Sequence, residues 1–472
     1  MAYKHGIYGI QVPTADTLPP SGVGTVPVYI GTAPVHQLTD PSSAVNVPIL
    51  INSYEDGVAK IGYSDDWDTF TLCEAVFAHF KNKIQPIGPI IVINIMDPTH
   101  HSKEATASVQ AVNGVGYLTD PIVLETIEID GKINGTDYTA EYGADGRVKL
   151  TGTTLMSLTS VKYKKMDVST VKILDVVGSN SSGARTGIEV VDLIYQTLNL
   201  IPTILAAPGW SHIKEVKEAP VTKSDDINGH WDAVVLADID ANTLHDAISW
   251  KSTNEYTDIQ LKVGWPKVIH AGRTFWASTR MAVRMQQTDF DGDNVPYVSP
   301  SNKQIDITGT VLKNGTSVSF DEIQANELNA HGITTFIFRG GIWVLWGPHN
   351  ANYEDSVEVD PKNVFDASIR MMRYLTNTFQ KRYMHLIDGP LTHILVDTIL
   401  NDAGTWLNSL IADGKLLAGT IRFNESSNPT SSMITGDFLF DIQTTTTPVA
   451  KSLTFKVQYT TSGLNALFGG ES

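Results

Sequence analysis

Residues 26–33 (VPVYIGTA), 47–51 (VPILI), 68–83 (DTFTLCEAVFAHFKNK) and 85–97 (QPIGPIIVINIMD) form the stretch that decides the fold. The first, second and fourth are short apolar runs bounded by glycine or proline, the pattern of buried strands. The third places Cys73, Val76, Phe77 and Phe80 on one helical face. Strands arranged around a helix in this order predict a β-α-β unit and a parallel sheet. The same pattern resumes downstream, with a helix over 186–200 and strands over 203–207 and 233–238 (AVVLAD). The fold class is therefore α/β.

Residues 99–184 differ in character. Leu124, Thr126, Val148 and Leu150 sit in short β-rich runs separated by turns at Asp130-Gly131, Asn134-Gly135 and Asp145-Gly146. This predicts a small β-rich domain inserted into the α/β one, with residues 178–183 (GSNSSG) as a flexible exit. Further on, short helices are expected over 242–251 and 274–285. A hairpin is expected over 333–346 around Arg339-Gly340-Gly341. Two long helices follow over 364–385, with Phe365, Ile369, Met372, Phe379 and Tyr383 on one face, and over 391–412. No repeat of 20 to 50 residues is visible, which argues against a solenoid or propeller.

Both ends read as arms. Residues 1–24 contain Pro13, Pro19, Pro20, Gly22 and Gly24 and lack a helical period. Near the other end Phe438, Phe440 and Ile442 alternate with other side chains, as do Leu453, Phe455, Val457 and Tyr459, so two half-buried strands are expected. The spacer between them, residues 443–450 (QTTTTPVA), has no two-residue turn chemistry and spans roughly 25 Å when extended. Either the two strands form a loose hairpin on their own sheet, or the second pairs with a neighbouring molecule. The expected organisation is an arm over 1–24, a core over 25–98 and 185–445 interrupted by the 99–184 insert, and an exchanged-strand arm over 446–472.

The 472 residues carry a formal net charge of −17, with 42% hydrophobic and 18% charged residues. That composition belongs to folded chains, and the acidic balance argues against a mainly nucleic-acid-binding surface. One cysteine, Cys73, rules out intrachain disulfides and cysteine-based metal clusters. The amino terminus lacks the apolar run of a signal peptide, and no apolar segment approaches eighteen residues. Synthesis in the cytoplasm without membrane insertion is expected.

Catalytic motifs are sparse. Pro208-Gly209-Trp210-Ser211-His212 places a Gly-x-Ser after a predicted strand, where a hydrolase nucleophile would stand, but Ile213 replaces the second glycine of that elbow. Asp289-Phe290-Asp291-Gly292-Asp293 has its glycine at the wrong position for an EF-hand, which favours an acidic turn. His100-His101 has no ligand-spaced partner, and no phosphate-binding glycine motif occurs. No catalytic residue, cofactor or metal is expected. One non-catalytic feature stands out. Arg370, Arg373, Lys381 and Arg382 face a single carboxylate, Asp366, within residues 366–382. On a helical wheel Arg370, Arg373 and Lys381 share a flank, read either as a solvated surface or as a docking strip for an acidic partner.

The order of segments resembles the contractile tail sheath proteins of bacteriophages and phage-tail-like particles. VPVYIGTAP (26–34), NVPILINSYEDGVAKIG (46–62), TILAAPG (203–209), VVLADID (234–240), SPSN (299–302) and GGIWVLWGP (340–348) carry the resemblance. The chain departs from the family at Trp346-Gly347-Pro348-His349-Asn350, where many sheaths have an arginine and a threonine. The resemblance implies a multi-domain sheath fold with a subtilisin-like but non-catalytic core. It implies a homo-oligomer of hexameric rings stacked helically around a tail tube protein, bounded by baseplate and tail terminator proteins, without nucleic acid. The sheath, assembled in the host cytoplasm as part of a virion tail or tail-like particle, would shorten to drive the tube through a bacterial envelope. Arms adding strands to neighbours, with Leu453, Phe455, Val457 and Tyr459 as the inter-subunit strand, and a tube-facing helix bearing Arg370, Arg373, Lys381 and Arg382 complete that expectation. A serine hydrolase using Ser211, or a carbohydrate-binding virion protein acting through the insert, are the alternatives.

Overall fold

The computed structural model describes residues 24–143, 146–153, 155, 158–181 and 183–468. The amino-terminal arm expected over 1–24 lies outside them except for Gly24.

Strand β1 (Pro27–Gly31) is buried throughout and has parallel partners on both sides, as its unbroken apolar run requires. Strand β2 (Pro48–Ile51) runs antiparallel to β3 (Ile90–Asn94), while β3 is parallel to β1. The parallel unit thus joins β1 to β3, and β2 forms the sheet's edge. Helix α1 (Tyr54–Ile61) begins where the Ser53 side chain accepts the Asp56 N–H at 3.1 Å. It ends at Gly62, whose φ of 73° and approach to the Pro34 carbonyl, 2.5 Å from where a Cβ would stand, admit only glycine. Helix α2 (Thr71–Phe80) is buried along most of its length, and burial pushes the Cys73 thiol up to about 12, which leaves it inert.

Six strands follow: β4 (Ser102–Val109), β5 (Val115–Leu118), β6 (Glu128–Ile129), β7 (Thr139–Tyr142), β8 (Val148–Thr151) and β9 (Thr159–Met166). They form two three-stranded sheets, ordered β4-β9-β6 and β5-β8-β7. Val109, Leu118, Ile122, Ile129, Val148, Leu150 and Val161 make a core separate from that of the main domain. Ser102 and Met166 stand opposite each other across the β4–β9 ladder, so the chain enters and leaves this unit on neighbouring strands. Val171 and Val176 already belong to the main core, and the glycine-serine exit is a short hairpin pairing Asn180 and Ser181 with Arg185 and Ala184.

A single helix was expected over 186–200; the structure instead has a 3-10 turn (Gly187–Leu193) and a short α-helix (Ile194–Leu198). With three residues per turn, Ile188, Val191 and Ile194 fall on one line, and all three are buried. The main sheet is completed by β10 (Ile204–Ala206), β11 (Val234–Asp238), β12 (Leu261–Gly264), β13 (Ile333–Arg339) and β14 (Ile342–Trp346). Its order is β2-β3-β1-β10-β11-β12-β13-β14, parallel except at the two edge strands. Helices α3 (Lys214–Lys223), α4 (Leu244–Thr253), α5 (Ala277–Asp291) and α6 (Glu322–Ala330) connect these strands. Helix α5 packs on α2, β11 and β12 and is buried from Ala277 to Asp289 despite its polar sequence. A four-stranded antiparallel sheet built from Lys267–His270, Arg273–Phe275, Gly309–Val311 and Ser317–Val318 flanks it. Helices α7 (Asp366–Tyr383) and α8 (His393–Ala412), then strands β15 (Leu416–Arg422) and β16 (Asp441–Thr446), form the carboxy-terminal unit.

Candidate functional site

The carboxy-terminal unit is built on α8, whose first turn is capped by the Thr392 hydroxyl accepting the Leu395 N–H at 3.3 Å. Strand β15 packs along α8 and pairs antiparallel with β16, Ile421 opposite Ile442 and Thr420 opposite Gln443. Strand β16 covers Gln443 to Thr446, half of the stretch read as a spacer, and starts after Phe438 and Phe440. Among the described residues this sheet has two strands only. Its outer backbone edges are open to a further strand.

Beyond β16 the chain is held by Thr447 Oγ1, which donates to the Gly414 carbonyl at 3.0 Å, and by Lys451 Nζ, which donates to the Tyr353 hydroxyl at 3.2 Å. Leu453, Phe455, Val457 and Tyr459 then follow with no secondary structure, 74%, 84%, 92% and 82% exposed. No hairpin joins this segment to residues 438–446. Four large apolar side chains thus stand at alternating positions in water, with no partner on their own molecule among the described residues.

The four cations of α7 separate. Arg370 is buried and both of its terminal nitrogens donate to Asp289 on α5. Arg373 donates to the Ser224 carbonyl at 3.1 Å and to Asp225. Arg382 forms a two-pronged pair with Asp402 of α8, Nε and Nη2 each at 2.6 Å, and this contact holds the Asp402 carboxyl below its ordinary range. Lys381 is exposed. The expected flank of solvent-facing charge is therefore not present at Arg370, whose partner lies 81 residues away in sequence, outside what a helical wheel includes. The buried face runs through Ile369, Arg370, Met371, Tyr374, Leu375 and Thr378.

Ser211 does stand just after β10, but it is buried. Its Oγ donates to Asp238 Oδ2 at 2.8 Å and accepts the Asp238 N–H at 3.1 Å. The neighbouring His212 ring stacks on Trp276 rather than on the serine. Ser278 satisfies the rest of Asp238, whose pKa burial raises. Ser211 thus contributes to a buried hydroxyl-carboxylate cluster. The acidic turn is likewise neutralised within the chain, Asp289 by Arg370 and Asp293 by Lys415 at 2.8 Å. No group of three metal-ligating side chains occurs among the described residues, and no helix among them is long and apolar enough to cross a membrane.

The described chain thus combines an α/β core, a β-rich insert and a two-stranded carboxy-terminal unit followed by an exposed tail. The sheath complex of an extracellular contractile injection system, PVC, in its contracted state has the same fold: TM-score 0.57 over 98% of this chain and 100% of that one, at 13% identity. No family model matches the chain. The tail sheath protein of Burkholderia phage BcepMu is 25% identical over 502 residues, covering 99% of both chains. The tail sheath protein of Escherichia phage P2 is 23% identical over 300 residues, 61% of this chain and 71% of that one. The relatives it matches are phage tail sheath proteins, and its fold is that of a contractile sheath subunit.

Proposed function

We propose that this chain polymerises as stacked hexameric rings around a tail tube, in a virion tail or tail-like particle, and that the polymer contracts to push the tube through a bacterial envelope. The observation that carries this reading is the exposed, alternating Leu453-Phe455-Val457-Tyr459 segment beside a two-stranded sheet with open edges. Strand addition from a neighbouring copy satisfies the backbone of that sheet and covers these side chains, while the preceding tether lets the cores rotate. The core is of the subtilisin-like, non-catalytic type, consistent with the buried Ser211. The tube-facing surface is assigned to the exposed part of α7 around Lys381, with Arg370, Arg373 and Arg382 bracing the helix from within. Such contacts are weak singly, roughly 0–1 kcal/mol each, which suits a sheath that must release its tube.

Deleting residues 452–472 tests the reading. The truncated chain should keep its circular dichroism spectrum and melting temperature, because nothing described in the core contacts the lost side chains. In negative stain it should no longer form striated tubes. Normal tubes from the truncated protein would refute strand exchange.

A further inference from the structure

Helix α5 is buried from Ala277 to Asp289, and several of its polar side chains bind different parts of the molecule. Ser278 donates to Asp238 on β11 at 2.6 Å. Gln286 Nε2 donates to the carbonyls of Thr25 at 3.0 Å and Pro89 at 2.8 Å. Asp289, buried completely, accepts the Thr25 hydroxyl at 2.6 Å and both terminal nitrogens of Arg370. Two segments remote in sequence, the start of the main sheet and helix α7, thus meet on one carboxylate. Thr25 is gripped twice, by its carbonyl and by its hydroxyl, from residues three apart on α5. A cavity of about 20 Å³ lined by Thr25, Thr203, Arg370 and Asn377 adjoins the junction and has room for one water. Helix α7 has a second anchor, Asp366 to Lys262 on β12 at 2.9 Å, which does not involve residue 25.

We propose that Asp289 couples the root of the amino-terminal segment to the seating of helix α7, so that displacing residue 25 loosens α7 and the carboxy-terminal unit attached to it. A buried carboxylate that loses one donor leaves its remaining ion pair less well solvated, and hydrogen bonds sharing an acceptor group in a low-dielectric site stand or fall together. Thr25 is the first residue after Gly24 to be held by the core, through Gln286 and Asp289 together, so displacing it acts on both. The coupling belongs to the fold itself and does not depend on what the chain assembles into.

Hydrogen exchange on the full-length chain tests it. Thr25→Val keeps the side-chain shape and removes the hydroxyl. It should speed exchange of the α7 amides over 366–378 by roughly ten- to a hundredfold, the factor set by a hydrogen bond to a charged group, and leave β11 unchanged. Thr25→Ser should restore protection. Asp289→Asn, which keeps an acceptor and removes the charge, should loosen residues 25–28 and α7 together. Unchanged α7 protection in Thr25→Val, equal loosening of β11, or loosening of only one segment in Asp289→Asn would each overturn the coupling.

Discussion

Glu74 on α2 is buried beside α5, where its Oε1 accepts the Trp276 N–H at 2.8 Å. Burial raises its pKa from 4.5 to about 8. The folded chain therefore keeps a proton that the unfolded chain releases above its ordinary carboxylate range. The resulting stability is complete at acid pH and is lost as pH rises through about 8. In Glu74→Gln, which resembles the neutral acid, denaturant unfolding should lose this dependence. Its stability relative to the parent should grow between about pH 5 and 8 by at most about 1.4 kcal/mol per unit. The buried imidazoles act with the opposite sign. His36 and His79 are lowered to about 3 and His349 to about 4 by burial, so acid destabilises the fold as unfolded histidines take up protons. That trend is common to both proteins and cancels in the comparison.

At the scale of elements, α7 shows how a charge-rich helix can be structural. Arg370→Glu puts a carboxylate against buried Asp289 and should cost about 3–5 kcal/mol in denaturant unfolding, with precipitation or proteolysis following. Lys381→Glu changes an exposed charge and should leave stability within about 0.5 kcal/mol, so only this variant can report on tube docking. The sheet strands were legible because β1, β3 and β11 are continuous apolar runs. The hairpin of β13 and β14 was legible from its Arg339-Gly340-Gly341 turn. Less legible were features set by distant partners: the Arg370–Asp289 pair, the burial of polar α5, and the four-stranded sheet beside it, whose short strands come from residues 267–275 and 309–318. The tail shows the converse. Its alternation reads as a strand, but alternation specifies a face to be covered and says nothing about which molecule covers it.

At the scale of the whole molecule, the β-rich unit and the main domain are packed separately, joined by contacts such as the His36 ring against Tyr142, 5.6 Å between centroids. Replacing residues 103–165 by a short glycine-serine linker should therefore leave the main domain folded, with a melting temperature lowered by a few degrees at most, as circular dichroism would show. Exposure of Phe70 and His36 to water is the main expected loss.

Because Ser102 and Met166 face each other on one ladder, the chain leaves its main domain and returns to it through a single doorway. Sequence can be gained, exchanged or discarded behind that doorway while the register of the eight-stranded sheet stays as it is. Natural variants should therefore differ in length there first. A foreign domain grafted at the same point, an antigen or a reporter, would be displayed once per subunit.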